Sequence, residues 1–300
     1  MINLDLKKVR NGKTVGLPYV GSKKKISKKI VEIIKQNFKG DEVYDVFGGG
    51  GAITAELLIN GFKVHYNDLD KTIAKMFEKV ISSDREWIKT LLISRQEFFE
   101  ILGYQNKTID DELKLLINSF GNNRKNYLYS VEDSDLKYNL AKEIIIKHDT
   151  FSGYKQTVTY KEKLQQLEQL QQLEQLRKLG RLQQLGRLQQ LERLQQLQYS
   201  ECLTISNFDY RYFSTVKNSI IYLDPPYENT DISTYRTGGF DYQEFYDWAA
   251  KMAENNVVLL SSYEVTDERF EIVYEFTNAR STFNGRNVKT GKHEKLFMLK

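Results

Sequence analysis

Glu42-Val43-Tyr44-Asp45-Val46-Phe47-Gly48-Gly49-Gly50-Gly51-Ala52 is the stretch on which the fold turns. Residues 42–47 read as a strand. Four consecutive glycines then end it and let backbone pass close to a ligand. From Ala52 a helical pattern runs through Leu58. A strand, a glycine loop and a helix, in that order, form the opening unit of a nucleotide-binding α/β sheet. The glycine spacing is not that of the dinucleotide fingerprint, and no Gly-Lys-Ser/Thr follows as in a P-loop. The next strand, Phe62-Lys63-Val64-His65-Tyr66, ends at Asn67-Asp68. An acid at the end of a second strand can accept from ribose hydroxyls.

A second stretch carries the chemistry. Ser219-Ile220-Ile221-Tyr222-Leu223 reads as a buried strand and runs into Asp224-Pro225-Pro226-Tyr227. Proline has no N–H, so two of them cannot extend a ladder. They make a stiff turn that places a carboxylate, a carbonyl and an aromatic ring in one cleft. This set suits a planar exocyclic amine. Asp224 and the Pro225 carbonyl accept its two N–H bonds, and Tyr227 stacks on the ring. Accepting both hydrogen bonds localises a lone pair that would otherwise be conjugated into the ring.

These motifs, in this order, resemble the phage and bacterial DNA adenine-N6 methyltransferases, the D12 class with the alpha-group arrangement. Pro18-Tyr19-Val20-Gly21-Ser22-Lys23 looks like the family's aromatic-Gly-Lys segment. Asp45-Val46-Phe47-Gly48-Gly49-Gly50 looks like its glycine loop, with Gly48 and Gly50 at the glycine positions. Asn67-Asp68 matches the acidic strand end, Asn207-Phe208-Asp209-Tyr210 the segment before the catalytic strand, and Asp224-Pro225-Pro226-Tyr227 the catalytic motif. The resemblance covers residues 17–80 and 200–300. It implies S-adenosylmethionine as donor, with Tyr19 and Lys23 at its methionine end. Asp45, Phe47, Gly48 and Gly50 would line the loop around it, Asp68 would hold the ribose, and Asp209 and Tyr210 its adenine. A base inside a duplex cannot reach the cleft, so the implied substrate is an adenine flipped out of double-stranded DNA.

The implied fold is an α/β, Rossmann-like methyltransferase sheet with helices on both faces, interrupted by a mainly helical target-recognition domain and a Leu/Gln-rich repeat. Residues 1–84 and 200–300 would form the donor-binding catalytic domain, 85–163 the recognition domain, and 164–199 the repeat. In the middle region, helical stretches are expected at Trp87–Leu102 and Ile109–Phe120. The polar loop that follows carries Asn122, Asn123, Arg124 and Lys125, groups that bond base edges and phosphates. A second basic segment, Arg280–Lys292, offers Arg286 and Lys289 to phosphates. In the repeat, leucine recurs every third residue from Leu164 to Leu197. At 100° per residue such leucines wind around a helix instead of forming one stripe. Helix is favoured, a small solenoid stays open, and a spacer or protein-binding arm is the expected role. Downstream, Phe240–Asn255 reads as a helix and Val257–Leu260 as a strand. Ile272–Thr277 and Lys295–Leu299 read as a closing hairpin.

Composition agrees. The chain has 300 residues, 40% of them hydrophobic, which is enough for a large core, and a net charge of +4 that is compatible with DNA. Its single cysteine, Cys202, excludes a disulfide framework, and three scattered histidines make no metal cluster. Met1–Arg10 lacks the apolar core of a secretory signal, and no apolar run spans a membrane; a cytoplasmic enzyme is expected. A cognate restriction endonuclease is a candidate partner, although the chain has no nuclease signature of its own. Other exocyclic-amine methyltransferases stand as alternatives. Cytosine-N4 enzymes usually carry Ser before Pro-Pro and RNA enzymes Asn, so Asp224 favours DNA adenine. A DNA-binding homologue that has lost catalysis is a third reading.

Overall fold

The computed structural model describes residues 2–19, 21–197, 201–228, 239–276 and 293–300. Contacts divide the chain into two units. One is drawn from Met1–Val15, Gly21–Ala74 and Tyr199–Lys300, the other from Gly16–Val20 and Lys75–Gln198.

The first unit is a seven-stranded sheet. Its strands are β1 (Glu42–Asp45), β2 (Lys63–Asn67), β3 (Leu203–Ser206), β4 (Ile220–Leu223), β5 (Val257–Ser262), β6 (Phe270–Phe276) and β7 (Glu294–Leu299). They lie in the order β3-β2-β1-β4-β5-β7-β6. The five strands from β3 to β5 are parallel, and β7 runs antiparallel between β5 and β6. The expected closing hairpin is therefore β6 and β7. β3 was hidden in the sequence, because Leu203-Thr204-Ile205-Ser206 is short and only half-buried at the sheet edge.

Alternation along the central strands shows why helices cover both faces. All four residues of β4 are buried, as expected for an inner parallel strand. Ile220 and Tyr222 pack with Leu259 against the helices Ser27–Asn37 and Ala52–Ile59. Ile221 and Leu223 point the other way, with Val258 and Leu260, onto Phe245, Trp248, Ala249 and Met252 of the helix Tyr242–Ala253. Chain order reverses between β1 and β4, and ligands of open α/β sheets bind outside the strand ends at such a reversal. The register sets Asp45 opposite Tyr222, so the glycine loop and the Asp224 turn leave adjacent strands at the same level.

The second unit is helical. The stretch expected as one helix from Trp87 is two, Arg85–Lys89 and Arg95–Leu102. Asp84 and Ser94 each cap a new start by accepting from Trp87 N at 2.7 Å and Glu97 N at 3.2 Å. Helices Ile109–Asn118 and Val131–His148 follow. The leucine repeat is neither one helix nor a solenoid. It folds as the end of Val158–Gln169, then Leu173–Leu179, then Gln183–Gln195. Gln171 turns the chain at φ 52°. In the last helix Leu185, Leu188, Leu191 and Leu194 are all fully buried. Gln184 and Arg187 are buried too. Leucines around so much of a helix must be covered, and Gln184 and Arg187 of this one bond to Asn118, Tyr127, Ile117 and Ser119 of the same unit. The tract is thus grouped with residues 75–163 in one unit, and its last helix packs on Arg85–Lys89 and Ile109–Asn118.

Candidate active site

The glycine loop is held from below and from the side. Asp45, 1% exposed, ends β1 and accepts from Thr54 Oγ1 at 2.6 Å and Thr54 N at 3.1 Å with Oδ2. Its Oδ1 is buried and has no hydrogen-bond partner among the described residues. Burial pushes this carboxyl up to about 7 against the pull of Thr54, and the nearby Asp224 adds to the rise. Gly48 is required: a Cβ there would fall 2.2 Å from Cε2 of Tyr66. The Tyr66 hydroxyl donates to the Gly49 carbonyl at 2.8 Å. Asp68 Oδ2 accepts from Gly49 N at 2.8 Å, and Oδ1 from Asp70 N at 2.8 Å. Burial raises Asp68 to about 6, although both N–H groups oppose the shift.

The acidic strand end and the Asn207 segment are laced together. Asn67 is buried and donates to Val46 O at 3.0 Å and Phe208 O at 2.9 Å. It accepts from Phe208 N at 2.8 Å. Asn207 donates to Asp68 O at 2.7 Å and Leu69 O at 2.8 Å. Tyr210 is buried in a nest of rings, 5.0 Å from Trp248, 5.4 Å from Phe245 and 6.3 Å from Phe47, centroid to centroid. Asp209 faces outward and holds Arg211 Nε at 2.7 Å, which keeps its carboxyl below the usual range.

Past β4, Pro225 and Pro226 are buried while Asp224 and Tyr227 are partly open. Lys23 Nζ lies 2.7 Å from Asp224 Oδ1 and 3.2 Å from Glu294 Oε1, and it donates to the Tyr227 hydroxyl. Tyr227 donates in turn to Glu294, which also accepts from Ser261 Oγ at 2.8 Å. Burial raises Asp224 to about 6; Lys23 pulls it down and Glu294 pushes it up. Burial would lower Lys23, but Asp224 and Glu294 more than offset that and hold it above the usual lysine range. Tyr227 also meets Tyr263 edge-on, with ring centroids 4.7 Å apart.

The structure thus gathers Lys23, Asp45, Phe47, Gly48, Gly50, Asp68, Asp209, Tyr210 and Asp224–Tyr227 in one unit. Tyr19 is half-buried and belongs to the other unit. So do Asn122, Asn123, Arg124 and Lys125. Arg124 is paired to Glu112 at 2.9 Å, and Asn123 caps its own turn by accepting from Lys125 N and Asn126 N. Asn122 is half-buried and Lys125 exposed. Arg286, Lys289 and Val20 lie outside the described residues. The sequence reading missed Glu294 and Ser261, because neither belongs to a local motif; their only signal is a polar residue at the end of an apolar strand. It also missed the clamp formed by Asn67 and Asn207, although both lie inside quoted motifs.

Among the described residues, no helix is long and apolar enough to cross a membrane. No curated protein matches the sequence. Among solved structures, a Haemophilus influenzae protein described as a candidate methylase is similar over 92% of this chain and 96% of that one. The identity is 12% and the TM-score 0.34, a likeness too distant to carry an argument. The profile of the D12 class N6 adenine-specific DNA methyltransferases, in contrast, matches residues 19–281, from the lysine segment through the glycine loop and the Asp224 turn. With most of its length matched, this chain belongs to the D12 class N6 adenine-specific DNA methyltransferase family.

Proposed function

We propose that this chain transfers the methyl group of S-adenosylmethionine to N6 of an adenine flipped out of double-stranded DNA. The observation that carries this reading is the placement of two acids, Asp45 and Asp224, at the ends of neighbouring strands on either side of the sheet's reversal point.

The residues around the glycine loop fit the donor. The buried, unpaired Asp45 Oδ1 suits the ammonium of its methionine end. Gly48 and Gly50 let backbone approach it, and Phe47 and Tyr210 offer ring faces to its adenine. Asp68 retains acceptor capacity for a ribose hydroxyl, because each oxygen has a second lone pair. Asp209 takes the adenine amine in competition with Arg211. Lys23 takes the donor's carboxylate end and must release one of its three partners to do so. Bound there, S-adenosylmethionine supplies an electrophilic methyl on sulfur, which leaves as a neutral thioether.

On the target side, Asp224 and the Pro225 carbonyl accept the two N–H bonds of the amine. This aims its lone pair at the methyl group, while Tyr227 stacks on the base. The amine loses one proton as the N–C bond forms, and Asp224 is the carboxylate placed to receive it. Asn122, Asn123, Arg124 and Lys125, with Arg286 and Lys289, are assigned to DNA contact.

The test is methyl transfer from tritiated donor to amplified double-stranded DNA free of base methylation, followed by digestion to nucleosides. Label in N6-methyl-2′-deoxyadenosine is expected. Label in N4-methyl-2′-deoxycytidine, or transfer to RNA in a parallel reaction with none to DNA, would overturn the reading.

A further inference from the structure

The catalytic turn is held by a residue outside its own motif. Glu294 opens β7, is 6% exposed, and presents Oε1 to three donors. Ser261 Oγ on β5 donates at 2.8 Å, the Tyr227 hydroxyl donates, and Lys23 Nζ lies at 3.2 Å. An ammonium has three protons. Here they face Asp224, Glu294 and the Tyr227 oxygen. Two carboxylates therefore share one cation in a buried cluster, and the tyrosine ring is tied to both charges through its hydroxyl.

The geometry points to Glu294 as a positioning residue for methyl transfer, fixing the Asp224 carboxylate through Lys23 and the Tyr227 ring through its hydroxyl. This inference rests on the reading of Asp224 as acceptor of the target amine. One part of the argument is steric. A tyrosine tethered at its hydroxyl and met edge-on by Tyr263 cannot swing about its Cα–Cβ bond, so its stacking face is set before the base arrives. The other part is electrostatic. Glu294 draws on the same ammonium as Asp224, which leaves Asp224 a stronger acceptor than a simple lysine–aspartate pair would. The groups facing Asp224 are Lys23, Glu294 on β7, Tyr227 in its own turn, Tyr222 on β4, and Asp45 at the end of β1.

The test uses the full chain, tritiated S-adenosylmethionine and amplified, unmethylated double-stranded DNA in single turnover across pH. Glu294→Gln keeps shape and acceptor but removes charge. The rate constant should fall about 10- to 100-fold, with donor affinity by calorimetry little changed. The acid limb of the rate should move to lower pH, because loss of a negative neighbour makes Asp224 easier to ionise. That limb belongs to active molecules alone, so partial misfolding cannot mimic its movement. Glu294→Asp keeps the charge and should return the limb to its wild-type place. A wild-type rate and limb in Glu294→Gln would overturn the inference, as would a rate loss that follows the folded fraction with the limb unmoved. Asp224→Ala separates the two ideas. If it is inactive while Glu294→Gln is unaffected, only the role of Glu294 fails. If it transfers as fast as wild type, the reading of Asp224 fails and takes this inference with it.

Discussion

Lys23 Nζ stands 2.7 Å from Asp224 Oδ1, so a lysine turn near the start of the chain neutralises the carboxylate that follows β4. Both side chains are largely buried, at 10% and 15% exposure, and Glu294 is a third member at 8%. Removing the cation leaves two buried acids facing each other. Lys23→Met is expected to cost about 3–5 kcal/mol of stability, the usual consequence of breaking a buried pair. Asp224 should then be harder to ionise, and the acid limb of methyl transfer should move to higher pH, opposite to the effect of removing Glu294. Chemical denaturation and a pH–rate profile check both. An acid limb that stays in place would show that Lys23 does not govern Asp224.

Asp45 makes a prediction about stability and pH. Its folded-state value, about 7, lies well above the roughly 3.9 of an unfolded aspartate. Between those values the folded chain keeps a proton that the unfolded chain has released. Stability therefore falls as pH rises through this window and levels off above it. Asp68 and Asp224, each raised to about 6, add to the fall at its acid end. Asp45→Asn should remove the largest part, gaining roughly 1–3 kcal/mol relative to wild type at pH 8, and should weaken donor binding. Thermal unfolding from pH 5 to 8 decides it; parallel curves for the two proteins would refute the assignment.

Gly48 has no room for a side chain. A Cβ would lie 2.2 and 2.4 Å from two carbons of the Tyr66 ring. Gly48→Ala should cost about 1–3 kcal/mol or more, as overpacking does, and should displace the loop that Asp68 holds at Gly49. Trimming the obstacle with Tyr66→Leu in the same chain should recover part of the loss. If the double variant is no more stable than the sum of the singles, the clash is not the cause.

Within the leucine repeat, Arg187 donates to the Ile117 and Ser119 carbonyls at 2.7 Å and to Leu116 O at 3.3 Å, where the helix Ile109–Asn118 ends. Burial pulls its guanidinium down to about 10, so relief of that desolvation offsets part of any loss. Arg187→Met should still destabilise by roughly 1–3 kcal/mol, because buried carbonyls lose their donor. Arg181→Met, at an exposed position six residues earlier, should change stability by no more than about 0.5 kcal/mol. Equal effects at the two sites would contradict the packing described above.

The loop after Phe120 carries one ion-paired cation and one exposed one. Arg124 is paired to Glu112, whereas Lys125 is exposed. If this loop meets DNA, Lys125→Ala should lower the slope of log affinity against log salt by about 1 without altering the methylated sequence. Affinity measured from low to moderate salt tests this, and an unchanged slope would move the DNA surface elsewhere.

Much of the site was legible because its chemistry is local. Strand, glycines and helix at 42–58, Asp68 at a strand end, and a carboxylate before two prolines are each written in neighbouring residues. The strand-to-loop register then follows from ordinary α/β packing. The partners of the site were not legible. Lys23, Ser261, Asp224 and Glu294 are far apart in the chain and meet only when β7 inserts between β5 and β6. The repeat shows the limit most plainly. Arg-Leu-Gln-Gln-Leu occurs at 181–185, 187–191 and 193–197, yet Arg181 is exposed, Arg187 buried and Arg193 half-buried. Gln184 is buried while Gln196 is exposed. Identical local sequence cannot assign different burial. The leucines by themselves favoured helices and required that they be covered, while the carbonyls at the end of the helix Ile109–Asn118 decided which arginine would be drawn inside.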